Sequence, residues 1–377
     1  MRFHAFTYIL VAPLLLTYGG LQSDSSIDQI RSEARQHQYD LSTDGKTFLA
    51  DEAQRASFFL LGELHGEKQI PDLLRQLWPG MWKDGYRYIA AEMSPWAAHQ
   101  LEFAPDDHEN KIVTLWSKDQ ALFVHSFGTS QAILWGCDIE ELQPQLLIRE
   151  LAKSNPTNQT LAHMAEITKA GYDRKMAPEL LASTRKLTSL RDLRINDASL
   201  LDNIRATFEV ENDRLKPETK FLAQQRRELV MKELFLLHYK EYVPSNAQAK
   251  LMLRFGRNHL HRGYDARGIS TLGNFIAELA VAEHKTVFNL AAFGAGGKAS
   301  LLGETWDADE RNDDPAFAFL ASQARYPATV FDLRPLRSIL HGIPADKRSA
   351  LQQKLVYWAD SYDAIICYKS VTPLQSD

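Results

Sequence analysis

The chain has 377 residues, of which 45% are hydrophobic and 24% charged, enough apolar material to bury a large core in one domain or two. That balance excludes disorder as the default. The formal net charge of -5, with basic residues scattered through helical stretches, excludes nucleic acid as a partner drawn by long-range charge.

The N-terminus reads as an export leader. One arginine in MRFHAF precedes about ten apolar residues, TYILVAPLLL, and small residues follow in TYGGLQS. This apolar run is half of the roughly 20 residues that a membrane-spanning helix needs, and Pro13 interrupts it. We therefore expect a signal peptide over residues 1–22 and a mature chain from about Ser23, with the polar SDSSIDQ as its exposed start. The mature chain is then periplasmic or secreted, without stable membrane insertion. No cysteine precedes Cys137, so a lipid-anchor cysteine just after the apolar run is absent.

Seven short apolar, β-rich runs then punctuate the chain: residues 57–62, 86–92, 132–138, 250–256, 286–292, 328–333 and 363–368. Most are apolar on both faces rather than alternating, as in strands covered by helices on either side. Between the first two, Ile70, Leu73, Leu74, Leu77 and Met81 fall at helical spacing, with Pro71 in the first turn and Gly85 at the close. Strand, helix and strand make a βαβ unit. From 139 to 248 the pattern is helical, a helical insertion between the third and fourth main strands. The fold class is thus α/β, with a largely parallel central sheet flanked by helices in a single domain over 23–377. The sequon NQT at 158–160 reads as chance, and Cys137 and Cys367, each inside an apolar run, read as buried thiols rather than a bridge. The glycines of AAFGAGGKAS (291–300) lack the spacing of a phosphate-binding loop and read as a flexible loop at the rim of the site.

In an open parallel sheet, ligands bind outside the carboxyl ends of the strands. There the first run delivers Glu63 and His65, the second Glu92, the third Asp138, and the fourth Arg257, Asn258, His259 and His261. Carboxylates and imidazoles from four strands share one edge, which predicts one site. Two spacings sharpen it: Gly62 to His65 and Gly256 to His259 are both Gly-x-x-His at a strand end, where glycine permits a sharp turn and the histidine swings back over the strand. Asp138 reads equally as a helix cap, and His261 equally as a surface histidine.

The segments LLGELHG, YRYIAAEMS, RRELVMKEL, RFGRNH and AIICYKSVTPL together resemble the superfamily that joins erythromycin esterases, Tiki proteases and ChaN-type haem-uptake proteins. The resemblance runs in order over most of 57–374. It implies an α/β fold with a site built from His65, Glu92 and His259; Glu63 looks like the companion carboxylate of the first motif, and Arg227 like the helical arginine of the esterase branch. The first motif is closer to the Tiki and ChaN form, and the C-terminal half to the esterases.

A hydrolase is the leading expectation, acting on an ester, lactone or amide bond of a small molecule or peptide. No Gly-x-Ser-x-Gly elbow and no cysteine lies near the cluster, which favours attack by water. His65, neutral near pH 7, is the expected general base, held by Glu63 or Glu92, with Arg227 or His259 stabilising the oxyanion. The same His65, Glu92 and His259 would suit a divalent metal such as Mn, Co or Zn, a version that the Tiki resemblance raises. The alternative, suggested by the ChaN branch, is a carrier of haem or iron through His65, His259 and Tyr368.

Overall fold

Phe58, Phe59, Leu60 and Leu61 are all buried, yet they serve two cores. Phe59 and Leu61 pack with Ile70, Leu73, Leu74 and Trp78 on one face of the sheet. Phe58 and Leu60 pack with Val230, Met231 and Phe235 on the other. A strand covered on both sides has no reason to alternate in polarity, which is why the run is continuously apolar. Full burial of each such side chain contributes about 1.5–3 kcal/mol.

The structure, a computed structural model, describes residues 19–104, 113–128, 132–187, 197–243, 248–311 and 314–374. Among them are ten strands: β1 (Gln38–Asp40), β2 (Phe58–Glu63), β3 (Tyr86–Ala91), β4 (Leu134–Gly136), β5 (Lys250–Gly256), β6 (Val287–Gly294), β7 (Lys298–Leu301), β8 (Glu304–Asp307), β9 (Ala328–Asp332) and β10 (Ala364–Tyr368). Eight form one sheet in the order β1-β9-β10-β6-β2-β5-β3-β4, and β7 and β8 make a separate hairpin. Six strands from β10 to β4 run parallel, and β9 enters antiparallel to both its neighbours. All seven strands expected from the sequence are present, in a largely parallel α/β sheet.

Register decides what meets at the edge. Glu63 at the end of β2 stands opposite Gly256 at the end of β5. Ala91 of β3 pairs with Arg254 of β5 and with Gly136 of β4, so the next residues of each chain, Glu92 and Cys137-Asp138, emerge at the same level. The chain passes from β5 to β6 across β2, and this change of direction opens a crevice at the carboxyl edge.

Between β4 and β5 the described residues are helical: Pro144–Ser154, Gln159–Ile167, Ala177–Thr184, Asp197–Asp213 and the long helix Lys220–Tyr242. Asn158, the sequon residue, caps one of them by accepting from the backbone N–H groups of Thr160 and Leu161.

One expectation needs correction. The glycine-rich stretch 291–300 is no flexible loop, because β6 runs to Gly294 and a tight turn leads straight into β7. There Gly297 holds φ +89°, and a Cβ on it would stand 2.1 Å from the Val371 carbonyl oxygen. The polar SDSSIDQ forms part of the helix Gly19–Gln36, with Asp28 and Gln29 exposed. The expected leader itself lies outside the described residues apart from its last few positions. No helix among the described residues is long and apolar enough to cross a membrane. Cys137 and Cys367 are free and buried, as expected.

Candidate active site

The two Gly-x-x-His segments meet, but for a different reason from the one the spacing suggested. Neither Gly62 nor Gly256 has a positive φ. What they share is close approach: a Cβ on Gly256 would lie 2.9 Å from Nε2 of His65 and 3.2 Å from Oε2 of Glu92. A Cβ on Gly62 would lie 3.0 Å from the Cα of Arg257. The first motif's histidine therefore rests in the space left by the second motif's glycine. The sharp turn falls instead at Gly66, with φ +93°. Its carbonyl accepts from Ser300 of β7, which braces the loop carrying His65.

His65 sits at the head of a chain of alternating charge. Its Nδ1 lies 2.9 Å from Oε1 of Glu63, and its Nε2 lies 3.3 Å from Oε2 of Glu92. Behind Glu63, Arg254 donates from Nε to Oε2 at 2.8 Å. Glu92 accepts from the Gly256 backbone N–H at 2.6 Å and from Arg227 at 2.9 Å, and its Oε1 lies 3.4 Å from Nε2 of His259. The other nitrogen of His259 meets Oε1 of Glu228 at 2.5 Å, and Glu228 in turn accepts from the backbone N–H of Leu272. Arg227 also grips Asp138 with Nε at 3.0 Å and NH2 at 2.5 Å.

These contacts fix the protonation states. Burial alone would strip the proton from His65, but the Glu92 charge and hydrogen bonds to Glu63 and Glu92 outweigh it and raise the pKa to about 9. His259, likewise buried, is lifted to about 10 by Glu92 and Glu228. Burial would raise Glu92, yet the charges of His259 and His65 hold it well below the usual carboxylate range. Glu63 is lowered against burial by Arg254 and His65. The expected neutral imidazole near pH 7 is thus overturned: between two carboxylates, resting His65 is an imidazolium.

A cleft of about 210 Å³ opens over this chain. Its lining combines the ionisable His65, Glu92, Asp138, Glu140, Glu141 and Arg227 with apolar residues such as Met93, Val113, Leu115, Ile139 and Leu142. His65 is the most open of the three central residues, with 23% of its side chain accessible against about 6–7% for Glu92 and His259. His259 does not line the cleft and supports Glu92 from behind. Ser94 does line it, but its hydroxyl donates to Glu140 and accepts from the Ala97 N–H as a helix cap, so it is committed twice.

The structure therefore gathers all five expected residues, Glu63, His65, Glu92, Arg227 and His259, and adds Asp138 through its grip on Arg227. His261 is buried, hydrogen-bonded to Ser361 at 3.0 Å and packed on Tyr357, Trp358 and Tyr362; it is neither a surface residue nor part of the cleft. Arg257 turns away onto the ring of Phe317. Sequence reasoning missed Arg254 and Glu228. An arginine inside the apolar run KLMLRFG was the available signal for the first, since a buried guanidinium needs a partner. Glu228 carried no such signal beyond its place beside Arg227.

A divalent metal on His65, Glu92 and His259 would have to draw Glu92 from the Gly256 N–H and from the Arg227 guanidinium. The outer nitrogen of each histidine meets a carboxylate, Glu63 or Glu228, as that of a metal-bound imidazole commonly does. Among the described residues no group of three or more His, Cys, Asp or Glu is disposed around a common point. Haem on His65, His259 and Tyr368 does not fit, because Tyr368 is buried in the core on β10 and lies outside the cleft.

No protein-family description matches the chain, and no curated protein matches it in sequence. Solved structures do. A Bacillus cereus protein shares 13% identity at a TM-score of 0.58, over 93% of this chain and 99% of its own. A succinoglycan biosynthesis protein shares 12% identity at 0.58, over 92% and 97%. An erythromycin esterase, EreC, bearing a histidine-to-asparagine substitution and in its open conformation, shares 14% identity at 0.53, over 87% and 94%. Likeness at this identity establishes a common fold, and the α/β architecture implied by the sequence resemblance is the one found.

Proposed function

We propose, from a fold shared with an erythromycin esterase and a cleft headed by His65, that the protein is a hydrolase that attacks an ester, lactone or amide carbonyl with water. One observation carries the reading: of the buried, mutually neutralised charges His65, Glu92, Asp138 and Arg227 that line the cleft, His65 is the most accessible, and apolar residues line the same cleft. Glu63 holds Nδ1 and so fixes the ring; Nε2, whose contact to Glu92 is the longer of the two at 3.3 Å, takes a proton from water on the cleft side once it has shed its own and the water has come between it and Glu92. Arg227, already lining the cleft, supplies the positive charge against which an oxyanion develops. His259 and Glu228 hold Glu92 in place from below. Water is the nucleophile in this reading because Ser94, the serine of the cleft wall, is engaged as a cap.

The resting imidazolium must first lose its proton. With a pKa of about 9, roughly one molecule in a hundred is in the basic form at pH 7. Export on the leader of residues 1–22 belongs to the same proposal, and N-terminal sequencing of the secreted or periplasmic protein tests it.

The experiment is hydrolysis of a panel of esters, lactones and peptides by the purified chain, before and after exhaustive chelation, beside His65→Ala. We expect turnover that survives chelation and disappears in the variant. Turnover retained by a folded His65→Ala would remove His65 as the base, and loss on chelation restored by added Mn²⁺ would overturn the metal-free mechanism.

A further inference from the structure

Arg254 stands in the middle of β5 with its side chain 2% accessible, where a charged group is tolerated only if fully partnered. Its partners divide between two parts of the molecule. Nε and NH2 meet the two oxygens of Glu63, at 2.8 and 3.4 Å. NH1 donates to Oε1 of Gln120 at 2.7 Å. The guanidinium carbon lies over the Trp116 ring, 4.5 Å from its centroid. Trp116 directly follows Val113, Thr114 and Leu115, which form the cleft wall. The Gln120 amide is oriented by this one contact, because its oxygen accepts from Arg254 whereas its Nε2 is buried without a partner.

We propose that Arg254 is a positioning residue for His65: held by Gln120 and Trp116, it clamps Glu63 so that Glu63 fixes the orientation and tautomer of the His65 ring toward the cleft. The inference rests on the reading of His65 as the base. A fork of two parallel contacts to one carboxylate sets the plane of that carboxylate, as a lysine's point charge does not. The carboxylate plane then sets the direction of the Nδ1 hydrogen bond. Because the same guanidinium stacks on the residue next to the cleft wall, wall and base are built as one unit.

The test combines kinetics with the ¹⁵N spectrum of the His65 ring, assigned by its disappearance in His65→Gln. In the wild type at pH 10, above the His65 pKa of about 9, we expect Nδ1 protonated and hydrogen-bonded and Nε2 bare. In Arg254→Met we expect that signature lost and kcat lowered about tenfold or more with KM nearly unchanged, because the ring is misplaced while the cleft remains. Arg254→Lys should recover only part. Should Arg254→Met fail to fold, Gln120→Leu removes a single contact to Arg254 and should move the same signature and kcat in the same direction. An unchanged His65 spectrum and unchanged kcat in a folded variant would overturn the proposal, as would equal loss in kcat and stability with the spectrum intact. If the wild type hydrolyses nothing, the function falls, and the spectrum alone still decides whether Arg254 positions His65.

Discussion

At the scale of single residues, the site depends on one absent side chain as much as on those present. Gly256 leaves room for the His65 imidazole. In Gly256→Ala the added Cβ meets Nε2 at 2.9 Å, so the ring must move by several tenths of an ångström. We expect a loss of about 100-fold in kcat/KM, the scale of a displaced catalytic group, with little change in unfolding midpoint. Wild-type activity in this variant would mean that the ring position does not matter. The sequence showed the pairing of Gly62 with His65 and of Gly256 with His259 but not its cause, because a motif prints spacing along the chain and the contact runs between the two motifs. His261 was ambiguous for a related reason. Its burial comes from Tyr357, Trp358 and Tyr362, about a hundred positions away, which nothing near His261 announces.

At the scale of elements, the long helix Lys220–Tyr242 does most to complete the site. Adjacent residues of a helix cannot face the same way, and its two arginines separate accordingly: Arg226 pairs at the surface with Glu209 and Asp213, whereas Arg227 is buried on Asp138 and Glu92. Glu228 points to His259. Removing one partner from such a buried pair leaves a charge uncompensated, at a cost of about 3–5 kcal/mol. We expect Arg227→Met to lower the free energy of unfolding by that order, whereas Arg226→Met changes it by less than about 1 kcal/mol. Equal effects in denaturant melts would contradict the burial assigned to Arg227. The strands were legible because apolar runs of this length between helical stretches have few other uses. The hairpin of β7 and β8 was not, since KASL and ETWD are half-exposed and carry no apolar run. That hairpin nevertheless braces the His65 loop through Ser300 and Gly66.

At the scale of the whole molecule, the buried histidines work against one another across pH. His65 and His259, raised from 6.5 to about 9 and about 10, lend stability that is complete below pH 6.5 and is lost as pH climbs through those values. His238 and His261 are lowered from 6.5 to about 4 and about 3 by burial, so their contribution is present above 6.5 and is lost as pH falls toward those values. Glu67, raised by burial to about 7, adds stability on the acid side that fades as pH rises through 7. Stability to denaturant should therefore peak slightly below pH 6.5 and decline on both sides. A midpoint that rises steadily from pH 6 to 9 would contradict the protonated state given to His65 and His259. Stability and catalysis then favour different pH, because the proton that stabilises the charge chain is the one the base must shed. The most direct test of that claim is the pH dependence of kcat/KM for whichever ester, lactone or amide the protein cleaves. We expect a tenfold rise per pH unit up to a plateau near 9, set by His65. A profile already flat at pH 7, or one that rises toward acid, would contradict it.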